Sequence, residues 1–211
     1  MRTQFPLFMS HLDLAHSYWT KILKPGDKAL DATCGAGFDS EKLASFNLNT
    51  LYIFDIQKEA IERTKLRLGQ NLQNVKFYEM CHSKIAEVIE KDSLKLIVYN
   101  LGYLPKSDKS IKTLPDTTLK SLEGALSLLQ NGGVISITCY PGHLEGALEE
   151  KELLHFCKAL SPKEWSVCFH QFPNRQLAPS LILIQKTTAV SMDVAGSSPL
   201  KKSTGEGASP T

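Results

Sequence analysis

The sequence has no cysteine pairing pattern. Cys34, Cys81, Cys139, Cys157 and Cys168 contain no C-x-x-C, and five is an odd count. Both facts speak against a disulfide framework or a zinc ribbon, and for a reducing compartment such as the cytoplasm. No apolar run approaches the roughly 20 residues needed to cross a bilayer. Residues 1–9 lack an apolar core followed by a small-residue cleavage site, so no signal peptide is expected. Neither sign of charge dominates: 24 Lys and Arg against 22 Asp and Glu leave a formal net charge of +2. Composition therefore does not by itself point to nucleic acid, although a local basic patch is compatible with it. No His-x-x-x-His pair suggests a metal, and His11 and His16 are five apart and do not share a helical face well. What is present, 42% hydrophobic and 22% charged residues in a chain of 211, fits one soluble globular domain with or without a tail.

Short β-branched or aromatic runs alternate with helical stretches. The strand candidates are "KALDAT", "LNTLYIFD", "NVKFYEM", "LKLIVYN", "GVISITCY", "EWSVCFHQF" and "SLILIQK". Between the first five lie the helical "FDSEKLASF", "KEAIERTKLRLGQNL", "SKIAEVIEK" and "DTTLKSLEGALSLLQ", and "EEKELLHFCKAL" follows the fifth. A further helix is predicted at the N-terminus, from about residue 9 to about residue 23. Asn131-Gly132-Gly133 reads as a turn between a helix end and a strand. Such alternation predicts βαβ units and a mostly parallel sheet with helices on both faces. Only "FPNRQLAPS" joins the last two strands, so they pair antiparallel. The prediction is an α/β, Rossmann-like, seven-stranded sheet, mostly parallel, ending in an antiparallel hairpin, over residues 1–186. That is the organisation of a class I methyltransferase. From Thr187 to Thr211 the chain turns to Ser, Thr, Gly, Pro and Ala and is predicted to be a disordered tail.

The loop "LDATCGAGFDS" follows the first strand and opens a helix. Gly35 and Gly37 allow a tight turn and close approach of backbone to a ligand. Ser40 stands where a dinucleotide fingerprint has its third Gly, and no Gly-Lys-Ser/Thr is present to cradle a triphosphate. D-x-x-x-G-x-G suits S-adenosylmethionine, although a turn that binds nothing is the bland alternative. Asp55 ends the second strand and can accept from both ribose hydroxyls of an adenosyl cofactor, or cap the following helix, or both. At the end of the third strand Cys81 and His82 can flank the adenine, or be structural.

"NLGYLP" ends the fourth strand, whose carboxyl end faces the ligand crevice of an open α/β sheet. Asn100 and Tyr103 have the spacing of an amino-group methyltransferase motif: the Asn carbonyl accepts from the substrate N–H and the aromatic ring stacks on the base. Leu101 and Gly102 replace the commoner prolines, and Asn and Gly also favour an ordinary turn. Lys106, Lys109 and Lys112 follow and can meet RNA phosphates or stay solvated. Tyr140 and His143, after the fifth strand, can line an acceptor pocket. Asp108, His82, His143 or water can take the amine proton.

Taken together, "DATCGAGFDS", "FDIQKEAIERT", "NLGYLPKSDKSIKT", "YPGHLEG" and "FPNRQ…LILIQK" resemble a bacterial methyltransferase family long labelled as rRNA methylases. That family is associated with methylation of the aminomethyl group on a thiolated wobble uridine of tRNA. The resemblance covers about residues 5–186. It implies an S-adenosylmethionine-dependent enzyme making methylaminomethyl-2-thiouridine, and a homodimer. It places Asp31, Gly35, Gly37 and Asp55 on the cofactor motifs, and Thr33, Asp39, Ser40, Gln57, Cys81, His82 and Asn100 are further candidates for cofactor contact. Asn100, Tyr103, Asp108, Lys109 and His143 fall on its substrate side, with Asn100, Tyr103, Asp108 and His143 expected to be catalytic. Ala36, Phe38, Ala178 and Ser180 depart from its usual residues. Other readings are methylation of rRNA or another amine, a nicotinamide-dependent oxidoreductase using Asp55 on the ribose, and a cofactor-binding protein without catalysis.

Overall fold

The computed structural model describes residues 7–70, 72–102, 113–175 and 177–187. Helix α1 (His11–Ile22) starts where the Ser10 hydroxyl accepts from the Asp13 N–H, the usual role of a serine cap. The alternation then runs β1 (Lys28–Asp31), α2 (Phe38–Ala44), β2 (Thr50–Asp55), α3 (Lys58–Leu68) and β3 (Val75–Glu79). A 3₁₀ turn (His82–Glu87) leads to β4 (Leu94–Asn100), α4 (Pro115–Leu128), β5 (Leu129–Cys139), α5 (Leu144–Ala159), β6 (Trp165–His170) and β7 (Ser180–Lys186).

The strands form one sheet in the order β3-β2-β1-β4-β5-β7-β6. The first five are parallel, and β7 enters antiparallel between β5 and β6. The hairpin is therefore where the sequence predicts it, with its last strand inserted beside β5. Central β1 and β4 are covered on both faces, which is why "LKLIVYN" is nearly unbroken apolar sequence rather than alternating. On one face α1, α2 and α3 bury Trp19, Leu43 and Ile61 against Ile53 and Val98. On the other, α4 and α5 bury Leu122, Leu128 and Leu153 against Leu30, Phe54 and Tyr99.

Two local expectations are corrected. "SKIAEVIEK" forms a short 3₁₀ turn, not an α-helix. Its β-branched Ile85, Val88 and Ile89 lower helix propensity, and α4 packs close at Gly124, where an added Cβ would lie 3.1 Å from the Ala86 side chain. Asn131-Gly132-Gly133 lies inside β5, not before it. There the pairing shifts from Leu94↔Leu129 to Leu96↔Val134, an irregularity that Gly132 absorbs at φ 71°.

The order of strands reverses between β1 and β4: β2 and β3 lie to one side, β5 to the other. In open α/β sheets a ligand crevice opens at that point, outside the carboxyl ends of the strands. Asp31, Asp55, Asn100 and Cys139 are the last residues of β1, β2, β4 and β5, so all four strand ends face that edge.

Candidate active site

The loop after β1 is fastened to both neighbouring strands. Ala32 N–H donates to the Val98 carbonyl of β4 at 2.9 Å, and Cys34 N–H to the Phe54 carbonyl of β2 at 3.0 Å. Asp55 then takes the Gly35 N–H on Oδ2 at 3.0 Å and the Gln57 N–H on Oδ1 at 2.9 Å. One carboxylate thus fixes the glycine loop and the entrance to α3 together. Burial raises its pKa, and the N–H donors of Gln57 and Gly35 pull it back. Oδ2 also takes the Cys34 thiol at 3.9 Å. An acid at this place can accept from the ribose hydroxyls of an adenosyl cofactor, and beside it the loop turns through Gly35 at φ 51° and the buried Gly37 at φ 81°.

Gly37 has a second constraint. A Cβ built on it would stand 2.9 Å from the Thr64 Cα on α3. Gly37→Ala is therefore expected to destabilise the protein by about 2–4 kcal/mol, from the clash and the left-handed φ together. Denaturant unfolding of the two proteins measures this. Ala36 and Phe38, which flank the glycine and depart from the family pattern, are braced by one residue. Arg67 Nε donates to the Ala36 carbonyl at 2.8 Å while its guanidinium lies 3.6 Å from the Phe38 ring centroid.

Asp31 and Ser40 sit beneath the loop, both 0% exposed. The Ser40 hydroxyl donates to Asp31 Oδ2 at 2.6 Å, and the Thr33 N–H to Oδ1 at 3.2 Å. Both side chains support the loop from behind. Burial, reinforced by the negative charge of Asp39, pushes the Asp31 carboxyl up to about 7 from 3.8. Between those values the folded state binds more protons than the unfolded chain. The contribution of this group to stability is therefore full in acid and lost as pH rises through about 7. Wild type should lose stability relative to Asp31→Asn between about pH 5 and about pH 8, by on the order of 2 kcal/mol. Paired melts across that range test the slope; a constant difference would leave only the altered hydrogen bonds.

Asn100 closes the other side of the crevice. Its backbone N–H donates to Thr33 Oγ1 at 2.7 Å, tying β4 to the loop. Its side-chain Nδ2 donates to Asp39 Oδ2 at 2.9 Å. A carboxylate only accepts, so the amide is oriented: Nδ2 faces Asp39, and Oδ1 occupies the other branch as an acceptor. Asp39 also meets His16 Nε2 at 3.1 Å. Tyr140, just beyond β5, is raised to about 12 by burial and by Asp39, with the Asn100 side chain pulling it back. It is thus a protonated hydroxyl at neutral pH, and it lies 3.5 Å from His11 Nε2.

The remaining predicted residues are less central. His82 is buried at 7% exposure, edge-on to Tyr99 at 6.0 Å, with no partner for Nδ1 among the described residues. Burial lowers its pKa to about 4, so it stays neutral and packed rather than serving as a base at the crevice. Cys81 is half-buried and accepts from the Ser83 hydroxyl at 3.1 Å. His143 caps α5, its Nδ1 accepting from the Gly146 N–H at 3.0 Å. Ser180 is buried and donates to Glu150, while Ala178 lies in the β6–β7 connection with its N–H on the Arg175 carbonyl. Tyr103, Lys106, Asp108, Lys109 and Lys112 lie outside the described residues.

Sequence reasoning missed three positions. His16 and His11 were set aside because they share no helical face, yet each reaches a different crevice residue. Glu149, 5% exposed on α5, accepts from Thr113 at 2.8 Å and Thr118 at 2.7 Å. Thr113 also takes the Gly102 N–H at 3.0 Å, so the residues flanking 103–112 are held together on one buried carboxylate. The available signal was a glutamate in register, at four-residue steps, with the buried Leu153 and Cys157 of the same helix.

A doubly wound sheet with a glycine loop at β1, an acid at β2 and an oriented Asn at β4 is the class I methyltransferase arrangement. The model of the putative rRNA methylase family matches residues 51–186. A tRNA (mnm(5)s(2)U34)-methyltransferase, chloroplastic, from Arabidopsis thaliana is 38% identical over 188 residues, covering 82% of this chain and 68% of its own. Among solved structures, a putative rRNA-methylase from Clostridium thermocellum superposes with TM-score 0.82 at 34% identity, over 86% of this chain and 100% of that one. A putative methyltransferase from Streptococcus mutans, solved in complex with SAH, gives TM-score 0.78 at 29% identity, over 85% and 99%. The chain belongs to this family of methyltransferases, which decides for methyl transfer over hydride transfer. Among the described residues, no helix is long and apolar enough to cross a membrane.

Proposed function

We propose that the protein transfers a methyl group from S-adenosylmethionine to the aminomethyl nitrogen of wobble aminomethyl-2-thiouridine in tRNA. The observation that carries the reading is the Asn100 amide, pinned by Asp39 so that its oxygen is an acceptor at the strand end beside the glycine loop. An amine presents N–H donors, and an oriented carbonyl is what aims its lone pair. The Arabidopsis relative is named for the product of this reaction.

Asp55, Gly35 and Gly37 would hold the cofactor, which supplies a methyl group already activated on a sulfonium. Asn100 binds the amine N–H and fixes the angle of attack; such positioning accounts for much of the rate in a displacement of this kind. Tyr140 keeps its proton and offers a donor beside Asn100. An ammonium has no lone pair, so the substrate nitrogen sheds a proton before attack; with His82 packed and His143 Nδ1 on its helix cap, that proton goes to water or to Asp108. Tyr103 stacks on the uracil ring, and Lys106, Lys109 and Lys112 meet phosphates. A cytoplasmic setting and a homodimer are part of the same reading.

The test is methyl transfer to tRNA lacking the final methyl, read by nucleoside mass spectrometry. Methylaminomethyl-2-thiouridine is the expected product. No product on tRNA but methylation of rRNA would move the substrate; SAH binding without any transfer would make the protein a cofactor binder.

A further inference from the structure

His16 lies on α1, outside the strand ends that build the crevice, yet it completes a chain of contacts to the acceptor amide. His16 Nε2 is 3.1 Å from Asp39 Oδ1, and Asp39 Oδ2 is 2.9 Å from Asn100 Nδ2. A carboxylate is rigid and planar, so a donor fixed on one oxygen sets where the other points. Asp39 is 10% exposed at its side chain and His16 30%, which limits competition from water. The imidazole is itself held: its centroid lies 4.6 Å from that of Trp19, one turn along α1 and 1% exposed.

We infer that His16 is a positioning residue, which acts through Asp39 to hold the Asn100 amide with its carbonyl oxygen toward the substrate amine. The ionised carboxylate accepts, so His16 Nε2 donates. Without that donor Asp39 is free to turn about its side-chain bonds. Asn100 then loses its anchor, and its amide can rotate to present N–H where an acceptor is needed. The ribose end of the crevice does not pass through His16: Asp55 is held by the Gly35 and Gln57 N–H groups. The inference rests on the amine-methylation reading above.

The experiment compares wild type, His16→Leu and His16→Gln. The Gln amide offers a donor near the position of the imidazole Nε2; Leu offers none. Three readouts are taken: Kd for SAH, kcat and KM on tRNA lacking the final methyl, and the Asn100 side-chain amide resonances, assigned by their loss in Asn100→Ala. His16→Leu should lower kcat by about 10- to 100-fold, the scale of a misplaced reacting group, with Kd for SAH and KM little changed. The Asn100 amide proton held by Asp39 should move upfield, and His16→Gln should restore both. A kcat and amide resonances unchanged in His16→Leu would overturn the role. So would a loss that Gln fails to rescue, which would mean packing against Trp19. If wild type does not methylate the aminomethyl RNA, the substrate reading fails, while the amide resonances still decide whether His16 orients Asn100.

Discussion

Asn100→Ala is expected to lower kcat for methyl transfer by about 100-fold or more and to change the Kd for SAH by less than about threefold. The asymmetry follows from what the side chain touches. Its Nδ2 is spent on Asp39 and its oxygen is an acceptor at the end of β4, whereas the glycine loop and Asp55 are held by other bonds. Truncation removes the group that aims the amine and leaves the adenosyl side standing. The backbone N–H bond to Thr33 survives in Ala, so the strand end stays tied to the loop. Asn100→Asp is a sharper probe: it puts a second carboxylate where Asp39 lies 2.9 Å from the amide nitrogen. Repulsion there should turn the side chain or protonate one partner, so this variant should be no better than Ala. Equal losses in kcat and SAH affinity would show that Asn100 belongs to the cofactor instead.

The fold was legible because its signals are local. β-Branched runs such as "LYIF" and "LKLIV" alternate with amphipathic helices, and the missing helix before "SLILIQK" reveals the antiparallel hairpin. Where reading failed, tertiary contact overrode propensity. Gly132 and Gly133 look like a turn because their sequence is one, but pairing with β4 draws them into a strand as an irregularity. "SKIAEVIEK" has helical periodicity, yet the segment forms a six-residue 3₁₀ helix, His82–Glu87, with Ala86 packed close against Gly124 of α4.

The site was legible in halves. Asp55 and Asn100 stand at strand ends, and Gly35 and Gly37 lie at positive φ in the loop after β1, so the sequence singles them out as candidates. Asp31 and Ser40 are candidate ligand contacts in sequence, and only burial shows that they support the loop from beneath. His16 could not be assigned from spacing on its own helix. Its partner, Asp39, is 23 residues away, and the contact exists because α1 packs across the sheet face that also carries α2. Helical-face arithmetic asks whether two residues of one helix meet; it says nothing of what each meets elsewhere.

Asp55→Ala carries the second large effect, on binding rather than turnover. The variant should raise the Kd for SAH by about 100-fold or more. Two hydrogen bonds from ribose to an ionised acceptor are each worth about 1.5–3 kcal/mol, and about 1.4 kcal/mol is a factor of ten. The loop also loses its tether, since Gly35 N–H and Gln57 N–H share that one carboxylate. Asp55→Asn separates the two losses. Its single carbonyl oxygen can keep one backbone donor, but its NH₂ would face the other, so SAH affinity should still drop sharply while the melting temperature falls less than in Asp55→Ala. pH gives an independent check. Burial raises the Asp55 pKa, so the ionised form that the proposed ribose contact needs is lost nearer neutrality than for an exposed aspartate. SAH affinity should be full above that pKa, decline as pH falls through it, and show no such decline in Asp55→Asn. Calorimetric titration of both proteins across the acid range measures this, and an unchanged Kd in Asp55→Ala would remove the ribose role.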